Sequence, residues 1–277
     1  MIGSDMIAHL LDEDVAGGDV TTDALGFGHR AGEMLFKARG PMVVAGIGVA
    51  RKMMAGLDVA LYAADGDRVE AGTLLLRAHG PAAELHLVWK ASQTLMEVLG
   101  GIATATADVV AAARAANPAI RVATTRKTVP GARRLSQLAV RAGGGIIHRA
   151  GLGETVLVFA EHRAFLPDWS LARLSEHLRL AQPEKAIGIE VDTLDEGKAA
   201  ADAGFDVIQL ERFSPDDVAR LAAYVAGRTP RPRLGAAGGV HPDNAGAYAR
   251  AGADLIVTSW PYTAKPRDVS VTLRPLG

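Results

Sequence analysis

Between Val109 and Gly153 the chain contains no aspartate or glutamate. Within that zone the stretch TTRKTVPGARRLSQLAVRAGGGIIHR, residues 124–149, carries Arg126, Lys127, Arg133, Arg134, Arg141, Arg149 and His148. The chain as a whole is almost neutral, with a formal net charge of −1. A basic segment in a balanced chain must meet acids delivered from elsewhere or an anion from outside. Arginine presents a planar fork suited to carboxylate or phosphate, and lysine a compact point charge. Arg126, Lys127 and Arg149 would repel one another when gathered, so they point to an anionic ligand. Internal pairing with Glu190 and Glu211 is the alternative. Arg133, Arg134 and Arg141 read differently: Leu135, Leu138, Ala139 and Ala142 make one helical face and leave those arginines on the solvated one.

Glu190 in IGIEVDTLDEG and Glu211 in VIQLERF are carboxylates in otherwise apolar runs. Such groups are buried chiefly when paired or functional, and a bland strand end is the competing reading. The runs AGGGIIHR and GAAGGV, the latter holding Ala237, Gly238 and Gly239, could turn backbone N–H groups toward a phosphate. GIGVAR at 46–51 lacks the third glycine and downstream acid of a dinucleotide fingerprint. The eight histidines show no zinc-ligand spacing, and no Gly-x-Ser-x-Gly elbow is present. DGDRVEAGTLL resembles the turn of biotinyl domains but lacks their modified lysine.

These residues need elements to position them. The 277-residue chain is long enough for a large core, in one domain or two. Its charge balance argues against bulk nucleic-acid binding, and 5% aromatics against base-stacking platforms. With no cysteine there is no disulfide or thiolate site, which suits a cytoplasmic protein. No signal peptide is expected, since the first residues lack a basic region before an apolar one. No apolar run reaches the roughly 18 residues of a membrane span. Residues 34–78 read as strands and hairpins, and 82–116 as helix interrupted at Gly100-Gly101.

After Pro118 short apolar runs recur, IRVAT, GIIH, TVLVF, AIGIEV, DVIQL, RLGAA and DLIVTS, mostly joined by helical stretches. This rhythm predicts parallel βα units and a complete or incomplete seven-stranded α/β barrel. Two domains are expected, 1–116 and 117–277. Thr125, Arg126 and Lys127 then follow the first strand and His148 and Arg149 the second. Glu190 and Glu211 end the fourth and fifth, Gly238 and Gly239 follow the sixth, and Ser259 the seventh. The C-terminal strand ends are where such barrels carry their chemistry.

The block TTRKTVPGARRLSQLAVRAGGGIIHRAGLGETVLVFAEHR, with DEDVAGGDVTT, GGIATAT, IEVDTLDE and GAAGGVHPDN, resembles the quinolinate phosphoribosyltransferase family over nearly the whole chain. The resemblance implies an N-terminal α/β domain (an α+β sandwich), an open seven-stranded α/β barrel and a homodimer with shared sites. It implies phosphoribosyl transfer from phosphoribosyl pyrophosphate (PRPP) with Mg²⁺, held mainly by substrate and partly through Glu190 and Glu211. By the same resemblance Arg126, Lys127, His148 and Arg149 grip the acceptor's carboxylates and the pyrophosphate. Glu190 is an active-site acid, and Gly238 and Gly239 hold the 5′-phosphate. Four positions depart from quinolinate enzymes. Lys90 stands for a partner-subunit arginine, Phe159 for a lysine, Glu211 for an aspartate and Ala237 for a serine. GETVLVFAEHRAFL is instead similar to the ModD branch, whose acceptor the resemblance leaves open; Phe159 in place of the lysine predicts that quinolinate is a poor substrate and that the heteroaromatic acceptor bears fewer carboxylates. The alternatives are a quinolinate enzyme of NAD biosynthesis and a non-catalytic anion sensor.

Overall fold

The computed structural model describes residues 2–277, which form two compact units. Neither unit is a single run of sequence. One comprises residues up to Ala107, Val129–Gly144 and Pro261–Gly277; the other comprises Asp108–Thr128 and Gly145–Trp260.

The first unit begins with helices α1 (Ser4–Val15) and α2 (Val20–Leu25). The Asp19 side chain caps α2 by accepting from the backbone N–H groups of Thr21 and Thr22. Then come β1 (Ala31–Ala38), β2 (Met42–Val43), α3 (Ile47–Met53), β3 (Asp58–Leu61), β4 (Arg68–Val69) and β5 (Leu74–Pro81). The strand expectation for 34–78 holds apart from 47–53, which forms helix α3. The last strand of the chain, β13 (Val269–Pro275), returns to pair antiparallel with β1, giving a sheet of order β13-β1-β5-β3. Its core holds Met34, Phe36, Leu75 and Leu76, all fully buried.

Helix α4 (Ala82–Ala116) runs 35 residues without a break. The interruption expected at Gly100-Gly101 is therefore absent, and the reason is packing. A β-carbon on Gly100 would sit 2.4 Å from Met42 Cε, and one on Gly101 2.5 Å from the Lys265 carbonyl oxygen. The glycines admit close neighbours and cost the helix only about 1 kcal/mol each. Thr104 Oγ1 donates to the Gly100 carbonyl at 2.7 Å and accepts from Val43 N–H at 2.9 Å. Among the described residues α4 is the one helix long and apolar enough to cross a membrane, and 67% of its apolar stretch is buried. Threonines and glycines break it into short apolar runs, so a search for one continuous run passes over it.

The second unit contains the seven expected strands. They are β6 (Arg121–Thr124), β7 (Ile146–Ile147), β8 (Val156–Val158), β9 (Ile187–Val191), β10 (Val207–Glu211), β11 (Arg233–Ala237) and β12 (Leu255–Thr258). All pair in parallel, in the order β7-β6-β12-β11-β10-β9-β8. Helix α5 (Arg133–Ala142) connects β6 to β7 and belongs to the first unit. Arg133, Arg134 and Arg141 are exposed on it, while Leu135 and Ala139 are buried. Helices α6 (Ala160–Arg163), α7 (Leu171–Ala181), α8 (Leu194–Asp202), α9 (Pro215–Val225) and α10 (Pro242–Arg250) fill the later connections. Ser170, Thr193 and Ser214 cap α7, α8 and α9 through their hydroxyls, as their residue types predict.

Alternation along the strands sorts the side chains. Ile189, Ile208, Leu210, Leu234, Ala236 and Ile256 pack with Ala200, Leu221 and Ala245 of the helices. The opposite face, in register across the sheet, carries Leu157, Gly188, Glu190, Gln209, Glu211, Ala237, Val257, Ala123 and Ile146. β7 and β8 are the two edges of the sheet and do not pair. Yet the Arg149 guanidinium, just past β7, lies 5.4 Å from the Phe159 ring centroid, just past β8. The sheet therefore curls until its edges adjoin. It is a barrel open by one seam.

Candidate active site

All but one of the candidate site residues, the solvated arginines of α5 set aside, lie at the C-terminal ends of these strands. Glu190 and Glu211 are on the inner face, and Gln209 is on it beside them, at the same level as Glu190. Ala237 is level with Glu211. Two residues beyond Leu157, Val257, Ala123 and Ile146 come Phe159, Ser259, Thr125 and His148. The exception is Lys90. It sits exposed on α4 in the first unit, its Nζ 3.3 Å from Gln93 Oε1 and 4.9 Å from the Trp89 ring centroid.

The basic arm is held from the backbone. Thr125 N–H donates to the Thr258 carbonyl at 3.0 Å, His148 N–H to the Thr124 carbonyl at 3.1 Å, and Lys127 N–H to Thr125 Oγ1 at 3.2 Å. These bonds prolong the ladder by a residue and fix where the next side chains leave it. Lys127 is exposed, Arg126 half-buried, and Arg149 only 8% exposed. Among the described residues no carboxylate lies within 4.0 Å of Arg126, Lys127 or Arg149. Arg126 Nε is buried without a hydrogen-bond partner. Internal ion pairing, the alternative for this cluster, is not how these cations are satisfied.

Electrostatics ties the cluster together. Burial holds the Arg149 pKa below its ordinary value and the Arg126 charge adds to this, while Glu190 acts in the opposite direction. Burial, assisted by the Arg149 charge, lowers His148, so the imidazole is neutral at pH 7. Glu190 is raised. Burial is the main cause, and the charges of Glu211, Asp192 and Glu161 add to it. A hydrogen bond donated by Gln209 Nε2 to Glu190 Oε2 works against that rise. A concentration of carboxyl groups thus acts on cations that have no carboxylate partner within ion-pair distance.

The glycine turn after β11 is built for close approach. Gly238 and Gly239 have φ of 80° and 75°, a region L-residues disfavour. A β-carbon on Gly238 would lie 2.6 Å from Arg212 Cγ and 2.7 Å from Glu211 Oε1. One on Gly239 would meet nothing within 4 Å. Asn244 secures the turn, its Nδ2 donating to the Gly239 carbonyl at 3.0 Å and its Oδ1 accepting from His241 N–H at 2.8 Å. Thr258 Oγ1 donates to the Val240 carbonyl at 2.6 Å.

Phe159 is half-buried and stacks on His162, with centroids 5.8 Å apart and planes at 21°. Its N–H donates to His162 Nδ1 at 3.0 Å. It faces Arg149 and not the helix-side core. Sequence reading passed over Gln209, Asp192, Glu161, His162 and Arg212. The period of two in VIQLE could have flagged Gln209, which shares its face with Glu211. Glu161 and His162 lie on the short helix α6, and Asp192 and Arg212 in turns just past strand ends, positions that no strand period marks.

No group of three or more His, Cys, Asp or Glu side chains is gathered for a metal ion among the described residues. Glu190 and Glu211, coupled and bearing hard carboxylate oxygens, suit a divalent ion that keeps most of its ligands from water and phosphate.

Fold and site together define an α/β-barrel phosphoribosyltransferase. The chain belongs to the quinolinate phosphoribosyltransferase family. The family's C-terminal domain matches residues 102–272 and its N-terminal domain residues 19–99. A Rhodobacter capsulatus protein provisionally named pyrophosphorylase ModD is 44% identical over 91% of this chain and 98% of its own. Its namesake from Escherichia coli O6:H1 is 42% identical over 96% and 95%. A Methanothermobacter thermautotrophicus protein, provisionally named nicotinate-nucleotide pyrophosphorylase (carboxylating), is 32% identical over 98% and 99%. The crystal structure of NadC from Streptococcus pyogenes superposes with a TM-score of 0.90 at 28% identity, covering 99% of this chain and 96% of that one.

Proposed function

We propose that this protein transfers the phosphoribosyl group of PRPP to a ring nitrogen of a heteroaromatic acceptor and releases pyrophosphate. The observation that carries this reading is the set of unpaired cations, Arg126, Lys127 and Arg149, on the barrel rim that also bears Glu190 and Glu211. As the bond from the anomeric carbon to pyrophosphate breaks, negative charge grows on the leaving group and positive charge on the ribose. Arg126, Lys127 and Arg149 stabilise the first, and the carboxyl oxygens of Glu190 and Glu211 the second; groups already in place need no reorganisation as the charge develops. Neutral His148 offers a hydrogen bond without adding to the repulsion among the cations. Backbone N–H groups at Gly238 and Gly239 hold the 5′-phosphate, with Thr125 and Ser259 on the same rim. Mg²⁺ arriving with the donor would be met by the carboxyl oxygens of Glu190 and Glu211 and would supply charge neutralisation of the leaving group.

Phe159 supports an acceptor with fewer carboxylates than quinolinate. Arg149 packs against its ring, so a second carboxylate placed there meets an aromatic surface instead of an added cation. We place the enzyme in the cytoplasm as a dimer or larger assembly, with Lys90 of one subunit completing the site of another. The decisive test is incubation with PRPP, Mg²⁺ and a panel of pyridine and other heteroaromatic acids, followed by measurement of pyrophosphate. Release with any acceptor establishes transfer. Release with none, while PRPP still binds, supports the sensor alternative.

A further inference from the structure

Arg212 follows Glu211 at the end of β10 and has φ of 56°, the one positive value at a non-glycine residue among those described. The turn itself is needed. It lets Arg212 N–H donate to the Ala237 carbonyl at 2.9 Å, buries Phe213 and brings Ser214 to cap α9. The turn does not require arginine. Glycine, asparagine or aspartate would adopt this conformation with less strain. Nor does packing require it, since the side chain is 85% exposed and its one ionic neighbour is Glu211 Oε1, 3.6 Å from Nε. A strained residue whose side chain has no structural task is a candidate for a functional one.

The direction of the side chain says which task. Arg212 Cγ would be 2.6 Å from a β-carbon on Gly238, so the arginine side chain passes directly against the Gly238-Gly239 turn. The side chain beyond Cγ is largely exposed, Glu211 Oε1 lies 3.6 Å from its Nε, and the neighbouring Gly239 is open, a β-carbon there meeting nothing within 4 Å. The geometry points to Arg212 as a donor-binding residue that clamps the 5′-phosphate of the phosphoribosyl group from the side opposite the backbone N–H groups. The inference rests on the glycine turn holding that phosphate. It adds a fourth cation with a task separate from those of Arg126, Lys127 and Arg149, which face the leaving group and the acceptor.

Calorimetric titration of the full-length protein with ribose 5-phosphate and, separately, with inorganic pyrophosphate tests it. Arg212→Gly removes the guanidinium and the strain together, and Arg212→Asn, which also tolerates the conformation, guards against a loosened turn. Both variants should bind ribose 5-phosphate roughly ten- to a hundred-fold more weakly, the range for one charge-assisted contact. Arg212→Lys should fall between them and the parent, and pyrophosphate affinity should change less than about two-fold. Unchanged ribose 5-phosphate binding in both variants overturns the assignment, as does an equal loss for pyrophosphate. A selective loss of ribose 5-phosphate in a protein that transfers to no acceptor would keep the clamp and refute the transferase reading.

Discussion

Gly238 and Gly239 stand side by side in the same backbone conformation, yet the structure predicts opposite consequences for replacing them with alanine. At Gly238 the added methyl would sit 2.6 Å from Arg212 Cγ, 2.7 Å from Glu211 Oε1 and 2.9 Å from Arg212 N. The last of these is backbone, held by its bond to the Ala237 carbonyl, and cannot swing away. The left-handed conformation costs an L-residue about 1–2 kcal/mol, and overpacking typically adds about 1–3 kcal/mol. Gly238→Ala should therefore lose about 2–5 kcal/mol. At Gly239 only the conformational cost of about 1–2 kcal/mol applies, because the methyl enters open space. That space is where the proposed phosphate lies, so Gly239→Ala should fold well and bind donor poorly. Urea unfolding with calorimetric PRPP titration separates the two effects. Equal destabilisation by both variants would refute the packing argument, and normal PRPP affinity in Gly239→Ala would refute the phosphate site.

Glu190→Gln should abolish most turnover, by roughly 10²–10³-fold on the scale of a lost electrostatic stabiliser, while raising the melting temperature at neutral pH. Glu190 has a raised pKa, so its native environment favours the protonated form. Its ionised form therefore costs stability in full above the folded pKa, and the advantage of glutamine should fade as pH falls from that raised pKa to the ordinary carboxylate value and be gone below it; a constant advantage down to pH 3 would contradict this. Quinolinate should be used at well under the roughly 10⁴ M⁻¹s⁻¹ of an ordinary enzyme, and Phe159→Lys should improve it; efficient parental turnover of quinolinate in steady-state kinetics sinks the acceptor argument. Lys90→Ala and Arg149→Ala, each inactive, should regain activity when mixed under conditions of confirmed subunit exchange; no recovery counts against a shared site.

Much of this protein was legible in the order of its residues. Seven apolar runs after Pro118 became seven parallel strands because burial on both faces demands such runs. Thr125, His148, Glu190 and Glu211 could be assigned to strand ends because a polar residue closing an apolar run has nowhere else to go, and Gly238 because a glycine pair after such a run marks a turn. What the order of residues could not express was distance. Gly100 and Gly101 look like a helix break, and only their contacts with Met42 and the backbone of Lys265 show that they are close-packing positions. Residues 261–277 sit with the N-terminal strands because β13 completes a ladder with β1, a pairing of segments more than two hundred residues apart. Arg149 reaches Phe159 because a seven-stranded parallel sheet curls until its unpaired edges adjoin. Arg212 carries no local signal at all. Its strained turn is set by a hydrogen bond to β11 and by the burial of Phe213, both of which arise only when the strands have come together.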